Sequence, residues 1–328
     1  MNPAAVNITV AICTWNRCES LRQTLEYMSR LRVPDGVTWE LLLVNNNCTD
    51  ATDDVCAAFQ SRLPIRVLHE TRAGLSFARN RAIADAHGEL LVWTDDDVLV
   101  DPNWLAGLWA AYRDYGASWV FGPSEPEWPA APPAWYSPRL MGNFAVLDYG
   151  NAPFVVENKD KPFFGLNFAG TRTAHIELGS FNTEYGLIGT AGGVGEDVDL
   201  FERALRAGMK IVYTPAARVR HVIPSARATK TYQRRHIWKV SANFYAHMGG
   251  MFPEVPWLLG VPRFMFSSAV GHVMGYGRSL FTRDPGKRFF HELQLLRFSR
   301  FALQAAKQGF SRPELPKTPK VADSEVGR

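Results

Sequence analysis

The stretch Ile8-Thr-Val-Ala-Ile-Cys-Thr14 is apolar and β-branched, and it runs into the polar Thr14-Trp-Asn-Arg17. A strand with one wet face alternates apolar and polar residues, whereas a strand covered on both faces does not. This stretch therefore reads as a strand inside a parallel sheet, and its surroundings agree. Leu21, Leu25, Met28 and Leu31 recur at helical spacing over residues 17–32, and residues 39–44 form a second apolar run. Thr49 or Asp50 can cap a helix through residue 58. A strand over 65–69, a helix over 75–86, a strand over 89–94 and a helix over 102–115 continue the rhythm. Such alternation predicts an α/β fold with a mostly parallel, Rossmann-like sheet flanked by helices. Later, Val198, Phe201 and Leu205 share a face of a helix over 196–207 with Gly208 at its stop, and strands follow over 211–214 and 218–222.

Composition limits the alternatives. The chain has 328 residues, 46% hydrophobic and 21% charged, which sets aside collagen-like, coiled-coil and wholly disordered readings. Residues 1–221 carry 19 Lys/Arg against 26 Asp/Glu, whereas residues 222–328 carry 17 against 6, net +11. The basic third should face something anionic. Cys13, Cys18, Cys48 and Cys56 form no CxxC pair and no common zinc spacing, so buried free thiols in a reducing compartment are expected. Neither a signal peptide nor a run of about 20 apolar residues is evident, and a cytoplasmic location is expected. Residues 122–138 hold six prolines with Trp128 and Trp135, a loop whose aromatics suit either a wall for a sugar or a hydrophobic plug.

Open parallel sheets bind ligands beyond the C-terminal ends of their strands. Three polar runs occupy such ends: Thr14-Trp-Asn-Arg17, Asn45-Asn-Asn-Cys-Thr-Asp50 and Asp95-Asp-Asp97. The asparagines also suit turn chemistry and helix capping. The three aspartates repel one another unless a cation neutralises them. A hard divalent ion such as Mg²⁺ or Mn²⁺ takes oxygen ligands of this kind and keeps positions for phosphate oxygens. That combination points to a diphosphate ligand. No GxxxxGK[ST] or GxGxxG occurs, so P-loop and dinucleotide-binding readings have no support.

Five segments stand together in an informative order. They are Val10-Ala-Ile-Cys-Thr-Trp-Asn-Arg17, Leu43-Val-Asn-Asn-Asn-Cys-Thr-Asp50, Gly74-Leu-Ser-Phe-Ala-Arg-Asn-Arg81, Thr94-Asp-Asp-Asp97 and Gly195-Glu-Asp-Val-Asp-Leu200. From about Ile8 to Val222 the chain resembles the family 2 glycosyltransferases of the GT-A fold, and Gly165-Leu-Asn167 and the run from Tyr213 to His221 are similar as well. The resemblance implies inverting transfer of a sugar from a nucleotide-diphosphate sugar, a UDP-sugar being favoured. The acceptor would be a saccharide or lipid-linked hydroxyl in polysaccharide, cell-envelope or glycolipid synthesis. It implies donor contacts from Thr14, Asn16, Arg17, Asn45, Asn47, Arg79, Asp95 and Asp96. Asp97 would hold Mg²⁺ or Mn²⁺, with His221 either completing the metal shell or hydrogen-bonded in the core. Asn167, Glu196 and Trp128 would meet the sugar or the acceptor. The family more often has Asp at the position of Asn45, although an amide oxygen still accepts from a uracil N3–H. Asp197 matches the family's usual base, which removes the acceptor proton. Its place at a helix start favours the carboxylate form.

Two other classes share parts of this pattern. A sugar-nucleotide nucleotidyltransferase would want a glycine-rich basic phosphate loop, which residues 11–17 lack. A non-catalytic sugar-binding protein would have no reason to keep Asp95, Asp97 and Asp197. The expected organisation is a catalytic domain over 1–228, a helical basic region over 229–312 and a loose tail over 313–328. The basic region shows no nucleic-acid motif. Its interleaved cations and apolar residues suit peripheral contact with an anionic membrane on its cytoplasmic face, or a lid over the site.

Overall fold

The computed structural model describes residues 6–188, 191–192, 195–251 and 254–313. The expected tail, apart from Pro313, lies outside the described residues, as do Gly193 and Val194 before Asp197. The chain forms two compact units. Among the described residues, one holds those up to Glu127 together with Ala145–Val222, and the other holds Trp128–Phe144 and residues 223–313. The division thus falls at Val222, and the proline-rich excursion belongs with the C-terminal region.

In the first unit the strands are β1 (Ile8–Thr14), β2 (Trp39–Asn45), β3 (Ile65–His69), β4 (Leu90–Asp95), β5 (Val98–Val100), β6 (Trp119–Phe121), β7 (Ser124–Glu127), β8 (Phe154–Val155), β9 (Phe168–Thr171), β10 (Leu187–Ile188), β11 (Ala191–Gly192), β12 (Ile211–Tyr213) and β13 (Val219–Val222). The helices are α1 (Cys18–Met28), α2 (Thr52–Phe59), α3 (Leu75–Asp85), α4 (Trp104–Tyr115), α5 (Arg172–Glu177) and α6 (Glu196–Arg206). The main sheet has the order β3-β2-β1-β4-β9-β6-β12-β8. Its first four strands are parallel, while β9 runs antiparallel between β4 and β6. A smaller sheet, β5-β13-β7, stands beside it.

The two faces of β1 show why this sheet forms. Ile8, Val10 and Ile12 join one core with Leu21 and Leu25 of α1, Val55 of α2 and Trp104 of α4. Ala11 joins the opposite core with Ala78 and Ala82 of α3 and Phe201 of α6. With helices on both faces, every residue from Ile8 to Ile12 is fully buried, so neither face of the strand can be polar without a partner. In the second core Phe163 stacks on Phe168 at 4.5 Å between ring centroids, alongside Trp93 and Trp119. Each such buried aromatic contributes on the order of 1.5–3 kcal/mol of hydrophobic stabilisation. Of the four thiols Cys56 alone is buried, and Cys13, Cys18 and Cys48 are half-buried and free.

The second unit contains a 3₁₀ segment (Pro138–Phe144), α7 (Lys230–Met251), the hairpin strands β14 (Trp257–Leu258) and β15 (Val261–Pro262), α8 (Arg263–Ser279) and α9 (Pro285–Lys307). Asp284 caps α9 by accepting from the Lys287 N–H (2.9 Å), and Pro285 supplies the fixed φ of the first turn. Tyr245, Met248, Val261, Phe301 and Ala305 form its core. Trp128 and Trp135 pack against Phe144, and Trp135 also meets Phe289 at 4.9 Å, so these aromatics form the plug. Among the described residues no helix is long and apolar enough to cross a membrane.

Candidate active site

The polar runs do gather at the C-terminal ends of β1, β2 and β4. The loops after β1 and β2 are tied by their asparagines. Asn16, at φ 52°, accepts from the Thr49 N–H (2.7 Å), and Asn47, at φ 64°, donates to the Thr71 carbonyl (3.0 Å). Asparagine tolerates this left-handed backbone better than most side chains. Asp50 accepts from the Cys18 N–H (2.9 Å) and from Thr52 Oγ1 (2.6 Å), and so serves the starts of both α1 and α2. Asn45 donates to Asp53 Oδ1 (2.9 Å) and accepts from the Cys48 N–H (2.8 Å). Asp53 thus places a carboxylate next to the amide, a partner that sequence reading missed because it sits eight residues on in what looks like a helix cap.

The aspartates lie at the turn from β4 into β5. Thr14 Oγ1 donates to Asp96 Oδ2 (2.7 Å), and Arg17 spans Asp96 Oδ1 (2.7 Å) and Asp97 Oδ2 (2.5 Å). The antiparallel register of β13 on β5 sets His221 opposite Val98, one residue from Asp97. His221 Nε2 consequently lies 3.5 Å from Asp97 Oδ2, with both side chains buried. Burial pushes Asp97 toward the neutral form, but His221 and Arg17 outweigh it and hold this carboxyl well below the usual range. Asp96 has no such surplus of partners. Burial raises it to about 7, Arg17 opposes the rise, and the neighbouring Asp97 adds to it.

The second half of the site forms around Arg79, which is 3% exposed. Its guanidinium donates to Glu196 Oε1 (3.0 Å) and the Gly165 carbonyl (3.3 Å), lies 3.6 Å from Asp95 Oδ1, and rests over the Phe181 ring. Arg79 thus ties Glu196, the Gly165 carbonyl and Asp95 together within the protein. A Cβ on Gly165 would come within 2.7 Å of Arg79 Nη2, so any larger residue there would have to displace the guanidinium. The Gly165 N–H donates to Asp197 Oδ2 (2.8 Å), which fixes that carboxylate at the start of α6. Gly195, the N-cap, has φ 108°, a conformation open to glycine almost alone.

The three expected sugar or acceptor contacts each have partners within the protein. Glu196 is buried and engaged by Arg79, and burial with repulsion from Asp197 raises it to about 7. Asn167 is 2% exposed. Its Oδ1 accepts from Trp104 Nε1 (2.8 Å), while its Nδ2 donates to the Pro123 and Ala217 carbonyls (2.9 and 2.8 Å), so both amide hydrogens are engaged in the core. Trp128 lies in the second unit, packed edge-on against Tyr136 and Phe144.

The charge pattern of the first unit's rim has a chemical consequence. Five carboxylates (Asp95, Asp96, Asp97, Glu196 and Asp197) face only the two guanidiniums of Arg17 and Arg79. Among the described residues no group of three or more His, Cys, Asp or Glu side chains converges as a complete metal cage. Asp97 and His221 nevertheless offer one carboxylate and one imidazole side by side. A cation that draws its remaining ligands from a diphosphate and water suits that donor set.

The glycosyl transferase family 2 pattern matches residues 9–164. Succinoglycan biosynthesis protein ExoM of Rhizobium meliloti (strain 1021) is 26% identical over 227 residues, covering 68% of this chain and 69% of that protein. An N-acetylglucosaminyl-diphospho-decaprenol L-rhamnosyltransferase of Mycobacterium tuberculosis (strain CDC 1551 / Oshkosh) is 31% identical over 211 residues, 55% of this chain and 66% of that one. Among solved structures, the mannosyltransferase PcManGT from Pyrobaculum calidifontis, in complex with GDP-Man and Mn²⁺, superposes with a TM-score of 0.61 at 16% identity over 90% of this chain and 86% of that one. GalNAc-T7 with UDP, GalNAc and Mn²⁺ gives a TM-score of 0.51 at 17% identity, over 75% and 51%. At such identities the likeness speaks for the fold, and the fold is GT-A. Over residues 9–164, just under half of its length, the chain matches the family 2 glycosyltransferases.

Proposed function

We propose that the first unit transfers a sugar, with inversion, from a nucleotide-diphosphate sugar to a hydroxyl of a saccharide or lipid-linked acceptor. A UDP-sugar is the favoured donor, and polysaccharide, cell-envelope or glycolipid synthesis is the setting. The observation that carries the reading is the convergence of Asp95–Asp97, Arg17 and His221 at the strand ends, with Asp197 held by Gly165 nearby along the same unit. The names of the relatives, a succinoglycan biosynthesis protein and a rhamnosyltransferase acting on a lipid diphosphate, support the acceptor class. The second unit's role in this reading is attachment to an anionic membrane, where lipid-linked acceptors reside.

Each side chain then has a task. Thr14, Asn16, Asn45 and Asn47 shape the nucleotide pocket through the loops that they tie together. Asp95, positioned by Arg79, faces the ribose. Arg17 offsets the charge of Asp96 and Asp97 in the protein alone. Asp97 and His221 are the residues that would hold Mg²⁺ or Mn²⁺, and a bound ion would neutralise the leaving diphosphate. Asp197, oriented by the Gly165 N–H, accepts the proton of the attacking hydroxyl. Thermal unfolding with a panel of nucleotide sugars tests the reading, because bound donor raises apparent stability by mass action. A rise in Tm with one nucleotide sugar in the presence of Mn²⁺ is expected. No response to any sugar nucleotide, with or without Mn²⁺, would refute it.

A further inference from the structure

The outward face of α8 is built for something other than water. Between residues 255 and 283 the sequence has no Asp or Glu, and from Phe264 to Gly277 it has no Lys or Arg either. One side of α8 is packed: Phe266 lies edge-on to Phe298, and His272 meets Phe290 and His291 of α9. The other side is open. Val270 and Val273 are each 59% exposed, Met274 is 53% exposed, and the turn that ends the helix presents Phe281 at 92%. Val270, Val273 and Met274 lie three and four residues apart and so share one face of α8, and Phe281 follows in the turn beyond the helix. A helix apolar on all sides is ordinarily buried on all sides.

Charge identifies what covers it. Arg263 at the start of α8 and Arg278 and Arg283 at its end are exposed and bracket the apolar stripe, with Asp284 the first acid beyond it. An apolar strip bordered by guanidiniums matches the boundary of an anionic bilayer, where acyl chains take the former and headgroup phosphates the latter. Because α8 is neither long nor apolar enough to cross, it would lie flat. Trp257 and Phe266 do not serve as the anchor, since Trp257 packs beneath Arg312 and Phe266 points into the unit.

We infer that α8 and its terminal turn, through Val270, Met274 and Phe281, form the surface by which the second unit docks on an anionic lipid bilayer. The inference rests on the membrane reading of that unit and names the face that performs it. The test is co-sedimentation of the full chain with vesicles of phosphatidylcholine alone or mixed with phosphatidylglycerol. Wild type should bind the mixed vesicles. Val270→Ser/Met274→Ser/Phe281→Ser should weaken that binding by tenfold or more without lowering Tm, because these side chains leave the α9 contacts untouched. The matched control Ile176→Ser, at a 55% exposed site of the first unit, should bind as wild type does. Arg278→Gln/Arg283→Gln should lose binding and most of its salt dependence. Undiminished binding by the triple serine variant would overturn the α8 assignment while leaving membrane contact standing. Absence of wild-type binding at low salt would overturn both. A concentration-dependent dimer that the triple variant abolishes, with no vesicle binding, would give the face to a second copy of the chain and equally overturn the inference.

Discussion

The strand-end rim of the first unit and the outer face of α8 are opposites in how their side chains are satisfied. At the rim each named polar group has a partner: Thr14 and Arg17 hold Asp96, Arg17 and His221 flank Asp97, Gly165 orients Asp197, and Arg79 joins Asp95 to Glu196. What the rim lacks is charge balance, with carboxylates in excess. On α8 the charges are few, and Val270, Val273 and Met274 are each more than half exposed. One region thus calls for a cation and phosphate, the other for a covering apolar phase. Electrostatic complementarity acts through fixed geometry and is lost with single atoms, whereas hydrophobic burial scales with area and is lost by degrees. Mutations should therefore act all-or-none in the first region and additively in the second.

The largest expected effect is at Asp97. Asp97→Ala removes the carboxylate that His221 and Arg17 hold ionised, and it should abolish both transfer and the metal-dependent part of nucleotide binding, read by turnover and calorimetry. Asp197→Asn should follow, with turnover reduced by roughly 10²–10⁴, the usual contribution of general base catalysis, and donor affinity within a few fold. Near-normal turnover there would break the comparison, because an oriented carboxylate would then carry no chemistry.

Asn167→Ala sharpens the contrast between site and core. It leaves Trp104 Nε1 and the Ala217 carbonyl unpaired in a buried setting, while the Pro123 carbonyl keeps the Val219 N–H, and a loss of about 2–4 kcal/mol in denaturant unfolding is expected. Donor affinity of the folded protein should be unchanged. A selective loss of donor binding at normal stability would restore Asn167 to the sugar site.

The smallest expected effect concerns pH. Asp96 titrates at about 7 in the folded protein and near 4 when unfolded. Between those values the folded state binds the extra proton, so its contribution to stability is full at low pH and disappears as pH rises through 7. Without divalent cations, Asp96→Asn should flatten the fall in Tm between about pH 4 and 7 and leave the variant the more stable at pH 8. An unchanged slope would place the titration elsewhere, with Glu196 the next group to substitute.

How much of this was legible from residues alone follows from how local each feature is. Ile8–Thr14 and Ile65–His69 match their expected bounds because apolar runs that a sheet buries on both faces announce themselves. The Asp95–Asp97 cluster stood out because like charges in sequence need a reason. The three-residue strands Val98–Val100, Trp119–Phe121 and Ile211–Tyr213 are short, and only pairing across the chain defines them, so of the three only the last was expected. The reversed strand Phe168–Thr171 between β4 and β6 is a matter of topology, which periodicity does not record. Two of the expected site residues make ties that no local pattern shows. Arg79 finds Glu196 across 117 positions and Asn167 finds its carbonyls across 44 and 50, so a polar residue in a suggestive motif turns out to be a long-range tie in the core. Exposure of α8 was equally hidden, since an uncharged run looks the same whether one face or both are covered.

The central claim is that the strand-end carboxylates act together with a divalent cation on a nucleotide diphosphate. Isothermal titration of UDP, and of GDP for comparison, into the full chain tests it with Mn²⁺ present or EDTA in its place. Binding at least tenfold tighter with Mn²⁺, lost in Asp97→Ala, is the expected result. Equal affinity in EDTA, for either nucleotide, would contradict it.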